Sequence, residues 1–389
     1  MFVIPSLEYG GAERQLVELV NHLDKRHFQA TVVSFEDGGP LEAELAETEG
    51  TTVVSLGKKK GDRDVRFIWR LIALARRLRP HVIHGYMNFS NLLALLAGKS
   101  AGAFVVWGIR GSNNREYAEF DAFEHAWFNF ALRLSFLADL AIFNSRAGRD
   151  YYRAKGFGCR RTILVPNGID IGRFKRRIDL RHRVRAEWGV GDNEYLIGLV
   201  ARLHPMKEHQ IFLNAAERLT RYRSDVRFVC VGSGTEDYAR GLRKLTIDLG
   251  LGDRVIWAGS RSDMPAVHNA LDISVSCSRF GEGFPNAIGE SMACGVPCVV
   301  AGAGDTEWIV GDTGVVVAQG DAEALASGCD TLLDRLKTEG EALRQRCSDR
   351  IAEGFDTMRL ADETEAALLA LLEMDPSGRT RELEHSQPR

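Results

Sequence analysis

Two short segments in the second half of the chain hold residues able to act on a phosphate. In Val200-Ala201-Arg202-Leu203-His204-Pro205-Met206-Lys207 a β-rich run ends in a turn bearing two cations five positions apart. Ligands of open α/β sheets bind at the C-terminal ends of strands. Arg202 offers a planar fork and Lys207 a point charge, a pair suited to clamp a diphosphate. Two cations at that spacing specify little by themselves. The longer segment, Gly281-Glu282-Gly283-Phe284-Pro285-Asn286-Ala287-Ile288-Gly289-Glu290-Ser291-Met292-Ala293-Cys294-Gly295-Val296-Pro297, adds a Gly-rich loop, a helix and a strand in order. Pro285 suits the opening of that helix and Gly295 its close. Backbone N–H groups of the loop and first turn have no partner within the helix, so with the helix dipole they form a phosphate site. Glu290, about one turn into the helix, is suited to accept hydrogen bonds from sugar hydroxyls. Glu282 lies eight positions earlier, in the loop. The plainer alternative is a pair of helix-start carboxylates with no ligand.

Other short matches fail on context. Gly98-Lys99-Ser100 resembles the end of a P-loop, and Gly98 to Gly102 fits a nucleophile elbow. The first lacks its leading Gly, where Leu93 stands, and the second lacks a strand before the Ser. Asp62-Arg63-Asp64 spells the Asp-x-Asp of metal-dependent sugar transferases, yet it sits beside Lys58-Lys59-Lys60 in a loop far from any strand end. Val231-Gly232-Ser233-Gly234 follows a strand without the third Gly of a dinucleotide fingerprint. HExxH and Cys/His clusters are absent from the sequence, so no metal ligand is predicted.

The elements that must carry these segments are legible as a pattern. A chain of 389 residues, 45% hydrophobic and 26% charged, fills two cores at ~100 to 200 residues per domain, which excludes disorder as the dominant state. The longest apolar candidate, residues 91–109, is broken by Lys99 and falls short as a membrane span. Residues 1–7 lack the flank and length of a signal peptide, and the seven Cys show no paired spacing, which together predict a cytoplasmic protein with reduced thiols. Short β-rich runs alternate with helical periods throughout, the pattern of parallel sheets with crossover helices. Strands are predicted at 2–5, 30–35, 52–56, 81–86, 104–109, 140–144 and 162–165, then at 195–200, 227–231, 254–258, 273–276 and 297–301. One intervening helix is predicted to bury Val65, Ile68, Leu71, Ile72, Ala75 and Leu78, with most of its Arg off that face. The turn at Asn167-Gly168-Ile169-Asp170 and the charged stretch after it mark a linker. Boundaries follow at 1–175 and 176–355, with a helix over 356–374 returning to the first domain and a frayed tail over 375–389. Net charge is −3, which suggests no nucleic-acid partner, but residues 1–177 carry +7 and the remainder −10. Such asymmetry fits either an anionic surface facing the first half or merely solvated helix faces.

In this company the residues resemble the retaining glycosyltransferases of family 4, glycosyl transferases group 1, and the likeness covers nearly the whole chain. It rests on Pro5-Ser6-Leu7-Glu8-Tyr9-Gly10-Gly11-Ala12-Glu13, Val165-Pro166-Asn167-Gly168-Ile169-Asp170, the Arg202/Lys207 segment, Val231-Gly232-Ser233-Gly234 and, most specifically, the Glu-x7-Glu of Glu282 and Glu290. The resemblance implies an α/β chain of the GT-B fold, two facing Rossmann-like domains with the donor site in the cleft. It implies that Arg202 and Lys207 hold the diphosphate of a nucleotide diphosphate sugar, that Glu282 lies by the transferred sugar, and that Glu290 binds the ribose. Gly10, Gly11, Gly232, Gly283, Phe284, Pro285 and Asn286 would contact the donor through the backbone. Family members commonly carry a His after the fifth strand; here Val106-Trp107-Gly108-Ile109-Arg110-Gly111-Ser112 has none, and Arg110 is the acceptor-side candidate. An Arg cannot act as a base at ordinary pH, so it would bind a phosphate or a hydroxyl.

The implied activity is metal-independent transfer of a sugar, without cofactor, to a hydroxyl of a glycan or lipid-linked acceptor in cell-surface polysaccharide biosynthesis. A nucleotide-sugar epimerase and a non-catalytic nucleotide-sugar binding protein share the architecture, while the missing GxGxxG disfavours a dehydrogenase. The aromatic residues Phe120, Phe123, Trp127, Phe128, Phe130 and Phe136 would either fill core or dip into a bilayer, which would make the protein peripheral on an anionic membrane.

Overall fold

The structure, a computed structural model, describes residues 1–59, 65–112 and 122–373, with side chains from residue 126 onward in the last stretch. Asp62-Arg63-Asp64, Phe120, the ring of Phe123 and the tail over 375–389 lie outside the described residues.

Among the described residues, seven parallel strands form a first sheet: β1 (Phe2–Ile4), β2 (Ala30–Glu36), β3 (Thr51–Lys58), β4 (Val82–Tyr86), β5 (Phe104–Ile109), β6 (Leu140–Phe143) and β7 (Thr162–Leu164), in the order β3-β2-β1-β4-β5-β6-β7. Six more form a second: β8 (Tyr195–Val200), β9 (Val226–Val231), β10 (Val255–Gly259), β11 (Ile273–Ser276), β12 (Cys298–Ala301) and β13 (Val315–Val317), in the order β10-β9-β8-β11-β12-β13. The chain is thus a two-domain α/β protein built on two doubly wound parallel sheets. Helices cover both faces of each sheet, so the strands are apolar along their whole length rather than alternating, as in Leu140 to Phe143 and Cys298 to Ala301, buried at every position. Strand order reverses between β1 and β4 in the first sheet and between β8 and β11 in the second. The crevice at such a reversal is where a doubly wound sheet takes its ligand.

Two local expectations are corrected. The helix Arg66–Leu78 buries Phe67, Leu71, Leu74 and Ala75, while Val65 is 60% and Leu78 43% exposed. Its core face is rotated from the predicted one because the Phe67 ring packs on Phe35, with centroids 5.2 Å apart. Strand β13 is absent from the predicted set; three residues after a tight turn are too few to display a period. After Asp321 there are two helices, Ala322–Glu339 and Glu341–Gly354, divided by Gly340 at φ +52°, a backbone conformation that glycine adopts without strain.

The chain crosses between the sheets twice, and the two crossings run side by side. Ile169 donates its N–H to the Phe355 carbonyl at 2.7 Å, and the helix Thr357–Glu373 then packs Leu360, Ala361, Leu368 and Leu371 into the first domain's core with Phe2, Ile4 and Leu16. Gly168 fits there because a Cβ would lie 2.7 Å from the Thr357 Cα, and the Gln15 amide holds its N–H and carbonyl, both at 2.8 Å. Within the described residues, no helix is long and apolar enough to cross a membrane.

Two buried histidines set an acid limit on this fold. His209, at the start of the helix His209–Thr220, and His84 on β4 have no hydrogen-bond partner on either ring nitrogen. Burial, aided by the charge of Lys207, pushes the His209 pKa down to about 4; burial, aided by Arg110, holds His84 well below its usual range. The unfolded chain takes up these protons near pH ~6.5 and the native one does not, so stability is full above that pH and declines as pH falls toward 4. Each histidine costs ~1.4 kcal/mol per pH unit in that window, roughly 3 kcal/mol for His209 by pH 4. Urea unfolding at half-unit steps from pH 8 to 4.5 measures the slope, and His209→Leu should flatten it by one proton. An unchanged slope in that variant would show that His209 is not among the titrating groups.

Candidate functional site

Strand β8 leads directly into Arg202 and Lys207, and β11 leads into the Glu282 loop, so the reversal of the second sheet brings the two sequence segments together. The turn Gly232-Ser233-Gly234 lies flat on the β8 extension, with the Ala201 N–H donating to the Val231 carbonyl at 3.0 Å and the Leu203 N–H to that of Ser233 at 2.9 Å. A side chain at either glycine would collide: a Cβ on Gly232, at φ +144°, would stand 2.0 Å from the Ala201 oxygen, and one on Gly234 2.0 Å from the Leu203 oxygen. Gly232 therefore shapes the segment that carries Arg202. The Arg202 side chain is exposed, and its charge opposes the burial that raises the Glu13 pKa, which puts it within electrostatic reach of the first domain.

Lys207 ends the turn Pro205–Lys207, and its ammonium is ion-paired with Oε1 of Glu282. The Ser278 hydroxyl donates to the same oxygen at 2.7 Å. Both partners of the ion pair are largely buried, so the interaction is screened less than a surface pair. A diphosphate arriving at Lys207 would compete with a carboxylate already in place.

Pro285 caps the helix Asn286–Ala293, and Phe284 is buried beneath it against the Phe355 ring, centroids 5.2 Å apart. Glu290 is not left to solvent. Its Oε2 meets Nε2 of His268 at 3.0 Å, and Nδ1 of the same fully buried ring meets the Ser291 hydroxyl at 2.8 Å. With both nitrogens engaged, the imidazole fixes the Glu290 rotamer as a buttress does. Nothing in Val267-His268-Asn269 advertises this role in sequence.

The first domain answers across the cleft with amides. Gly10 caps the helix Gly11–His22 in extended backbone, so its small size rather than its conformation matters: a Cβ would lie 2.1 Å from the Glu13 carboxylate. Asn286 donates to the Gly11 carbonyl at 3.2 Å and accepts from Asn167 at 2.7 Å. Asn167, 3% exposed, also donates to the Phe284 carbonyl at 3.3 Å and accepts from Asn144 at 3.2 Å. Arg110 joins the same chain, donating to the Tyr86 hydroxyl at 2.6 Å and lying 3.5 Å from the Asn167 oxygen. Gly283 passes so close that a Cβ would be 2.6 Å from Oδ1 of Asn144, and the Ser112 hydroxyl donates to the Glu282 carbonyl. Asn144, Asn167, Ser112 and His268 are not among the sequence-predicted site residues; the signal for the first three is position after a strand or in the linker turn, and His268, inside the helix Met264–Ala270, has none.

The structure therefore places Lys207, Glu282, Gly283, Phe284, Pro285, Asn286 and Glu290 around the start of one helix. Gly10, Gly11 and Arg110 face it from the other domain, with Arg202 at the rim. The arrangement offers a helix N-terminus, two cations and carboxylates fixed by neighbours, a set that fits a diphosphate bearing hydroxylated groups on both sides.

Comparison with known proteins gives a consistent picture. Residues 9–173 match the family described as Glycosyltransferase Family 4, and residues 194–335 that described as Glycosyl transferases group 1. The GDP-mannose-dependent alpha-(1-6)-phosphatidylinositol monomannoside mannosyltransferase of Mycolicibacterium smegmatis is 31% identical over 207 residues, 50% of this chain and 53% of that one, so the match spans about half of that relative. The UDP-Gal:alpha-D-GlcNAc-diphosphoundecaprenol alpha-1,3-galactosyltransferase of Escherichia coli is 26% identical over 77% of this chain and 78% of its own. Anabaena HepE, solved in complex with UDP and glucose, superposes with a TM-score of 0.82 at 22% identity, covering 95% of this chain and 98% of that one, and has the same fold.

Proposed function

Because the chain belongs to the group 1, family 4 glycosyltransferases, we propose that it moves a sugar from a nucleotide diphosphate donor to a hydroxyl of a lipid-linked glycan, with retention at the anomeric carbon and without a metal ion. The observation that carries this reading is the Lys207–Glu282 pair at the mouth of the helix Asn286–Ala293, eight residues ahead of a Glu290 buttressed by His268. The diphosphate seats on the helix N-terminus, displacing the Glu282 carboxylate from Lys207 toward the sugar, and Glu290 accepts from the ribose hydroxyls. As the bond between the anomeric carbon and the phosphate oxygen breaks, charge grows on the diphosphate, and Lys207, Arg202 and the loop N–H groups stabilise it where it develops. The acceptor oxygen attacks from the departing side, and its proton passes to the leaving phosphate, so no enzyme nucleophile is needed. The two relatives are named for GDP-mannose and UDP-galactose donors and for lipid-linked acceptors, which sets the substrates to try.

The direct test incubates the protein with UDP- and GDP-sugars and polyprenyl-diphosphate- or phosphoinositide-linked acceptors, with and without EDTA, and follows released nucleotide and the anomeric configuration of the product. Transfer with retention that survives EDTA is expected, since two cations and a helix N-terminus already neutralise the diphosphate. Isomerised donor without transfer, an inverted product, or turnover restored only by Mg²⁺ would each overturn a stated part.

A lipid-linked acceptor calls for a surface that meets a membrane, and a basic, aromatic face of the first domain supports that reading. On the helix Arg66–Leu78, Arg66, Arg70, Arg76 and Arg77 are exposed beside Trp69, 71% exposed. Only Phe128 of the Trp127, Phe128, Phe130 and Phe136 group is core; Phe130 is 49% and Phe136 60% exposed, and the rings of Phe67, Phe89, Trp127 and Phe130 run in sequence at 5.9 to 6.4 Å. Each Arg near an anionic surface contributes ~1 kcal/mol, screened over a Debye length of ~8 Å. Sedimentation with anionic liposomes at low salt should carry the protein down, and high salt, neutral lipid or Gln at those four Arg should leave it in the supernatant. Indifference of the wild type to anionic vesicles at low salt would favour an acceptor met away from the bilayer.

A further inference from the structure

Asp305, in the loop after β12, is 5% exposed, and its carboxylate belongs to the second domain while its partners belong to the first. Oδ2 accepts the Arg146 N–H at 2.6 Å and Oδ1 the Ala147 N–H at 2.9 Å, the first two residues of the helix Arg146–Ala154. Ser145 already caps that helix by accepting the Gly148 N–H at 3.1 Å, so Asp305 takes the donors that its own cap leaves over. The Arg146 guanidinium lies 4.1 Å over the Trp308 ring and closes the contact from above. The main chain of Asp305 faces the other way, donating its N–H to the Gly283 carbonyl at 3.1 Å. Gly304 before it, at φ +63°, sits so near the donor loop that a Cβ would be 2.3 Å from the Glu282 oxygen. Burial raises the Asp305 pKa, outweighing the two N–H groups and the Arg146 charge, with Asp150 adding to the rise.

We propose that Asp305 is a positioning residue, a latch that couples the Gly283 loop to closure of the two domains by capping the helix Arg146–Ala154 in trans. The latch rests on the donor site proposed above: loop geometry that suits the donor also presents the carboxylate to the opposite helix, and closure in turn holds the loop against Asn144 and Ser112. Substrate turnover then scales with the closed fraction.

Asp305→Asn keeps the shape but turns an amide NH₂ toward an N–H donor. It should lower kcat/KM about tenfold or more, chiefly in kcat, while UDP or GDP alone binds within about threefold of wild type. Hydrogen exchange should rise in the peptide covering residues 146–150 and stay unchanged in β8 and β12. Arg146→Pro removes one donor from the opposite side at a helix position that tolerates proline, and Arg146→Met keeps the N–H as a control. Asp305→Asn combined with Arg146→Pro should be no worse than the more impaired single variant, because both break one contact. Wild-type turnover and exchange in both single variants, additive losses in the double variant, or lost protection in β8 and β12 would overturn the latch. If the wild type turns over no donor, glycosyl transfer is wrong as the activity, and the exchange arm still decides the latch.

Discussion

Lys207→Ala should lower kcat by about 10²- to 10³-fold, the cost typical of removing one preorganised group from developing negative charge. The ammonium sits in a largely buried pair with Glu282 next to a helix N-terminus, a setting where a charge acts at full strength. Its loss also leaves the Glu282 carboxylate with Ser278 as its remaining side-chain partner, facing an incoming diphosphate of like charge. Donor KM should therefore rise as well, by less than kcat falls, and Glu282→Gln added to Lys207→Ala should recover part of the KM effect. Arg202→Ala should act in the same direction more weakly, because that side chain is exposed at the rim. Steady-state kinetics over a donor titration separate the cases. An unchanged kcat with only a raised KM would make Lys207 a ground-state binder and end its catalytic role.

Glu290→Ala should raise donor KM by roughly 10- to 100-fold, the worth of one or two charge-assisted hydrogen bonds to a ribose. Its carboxylate is held through Oε2 by a histidine that is itself fixed by Ser291. His268→Leu should accordingly reproduce a large part of the loss without touching substrate, since Glu290 is then free to rotate and Ser291 loses a partner. The two changes combined should cost little more than Glu290→Ala alone. Additive losses would mean that His268 and Glu290 act separately, and a Glu290→Ala enzyme with wild-type KM for every donor would remove the ribose contact.

How much of this was legible differs between elements for physical reasons. The strands of both sheets read clearly because parallel strands covered on two faces are continuous apolar runs, whereas β13, three residues long, had no room to show a pattern. The helix Asn286–Ala293 was marked by Pro285 at its start and Gly295, at φ +76°, after its end. The helix Arg66–Leu78 was recognised and buries Leu71 and Ala75 as expected, but its core face is rotated toward Phe67 and Leu74, since several apolar residues compete on its surface and the packing of Phe67 on Phe35 chooses among them.

Local chemistry was determined by the sequence alone: which segments become strands, where a helix N-terminus opens beside a Gly-rich loop, that Glu282 and Glu290 flank that opening, and that Arg202 and Lys207 share one turn after a strand. These depend on residues within a turn or two of one another, whose periodicity and backbone preferences do not wait for the rest of the chain. Only the tertiary structure decided the partners. Lys207 meets Glu282 across 75 positions, Asn167 meets Asn286 across 119, and Asp305 meets Arg146 across 159, because strand order reverses beside β8 and the two domains face each other. Polar side chains carry no mark of a distant partner. They are paired by where packing of the apolar cores sets the sheets, and burial then makes an unpaired polar group too costly to leave.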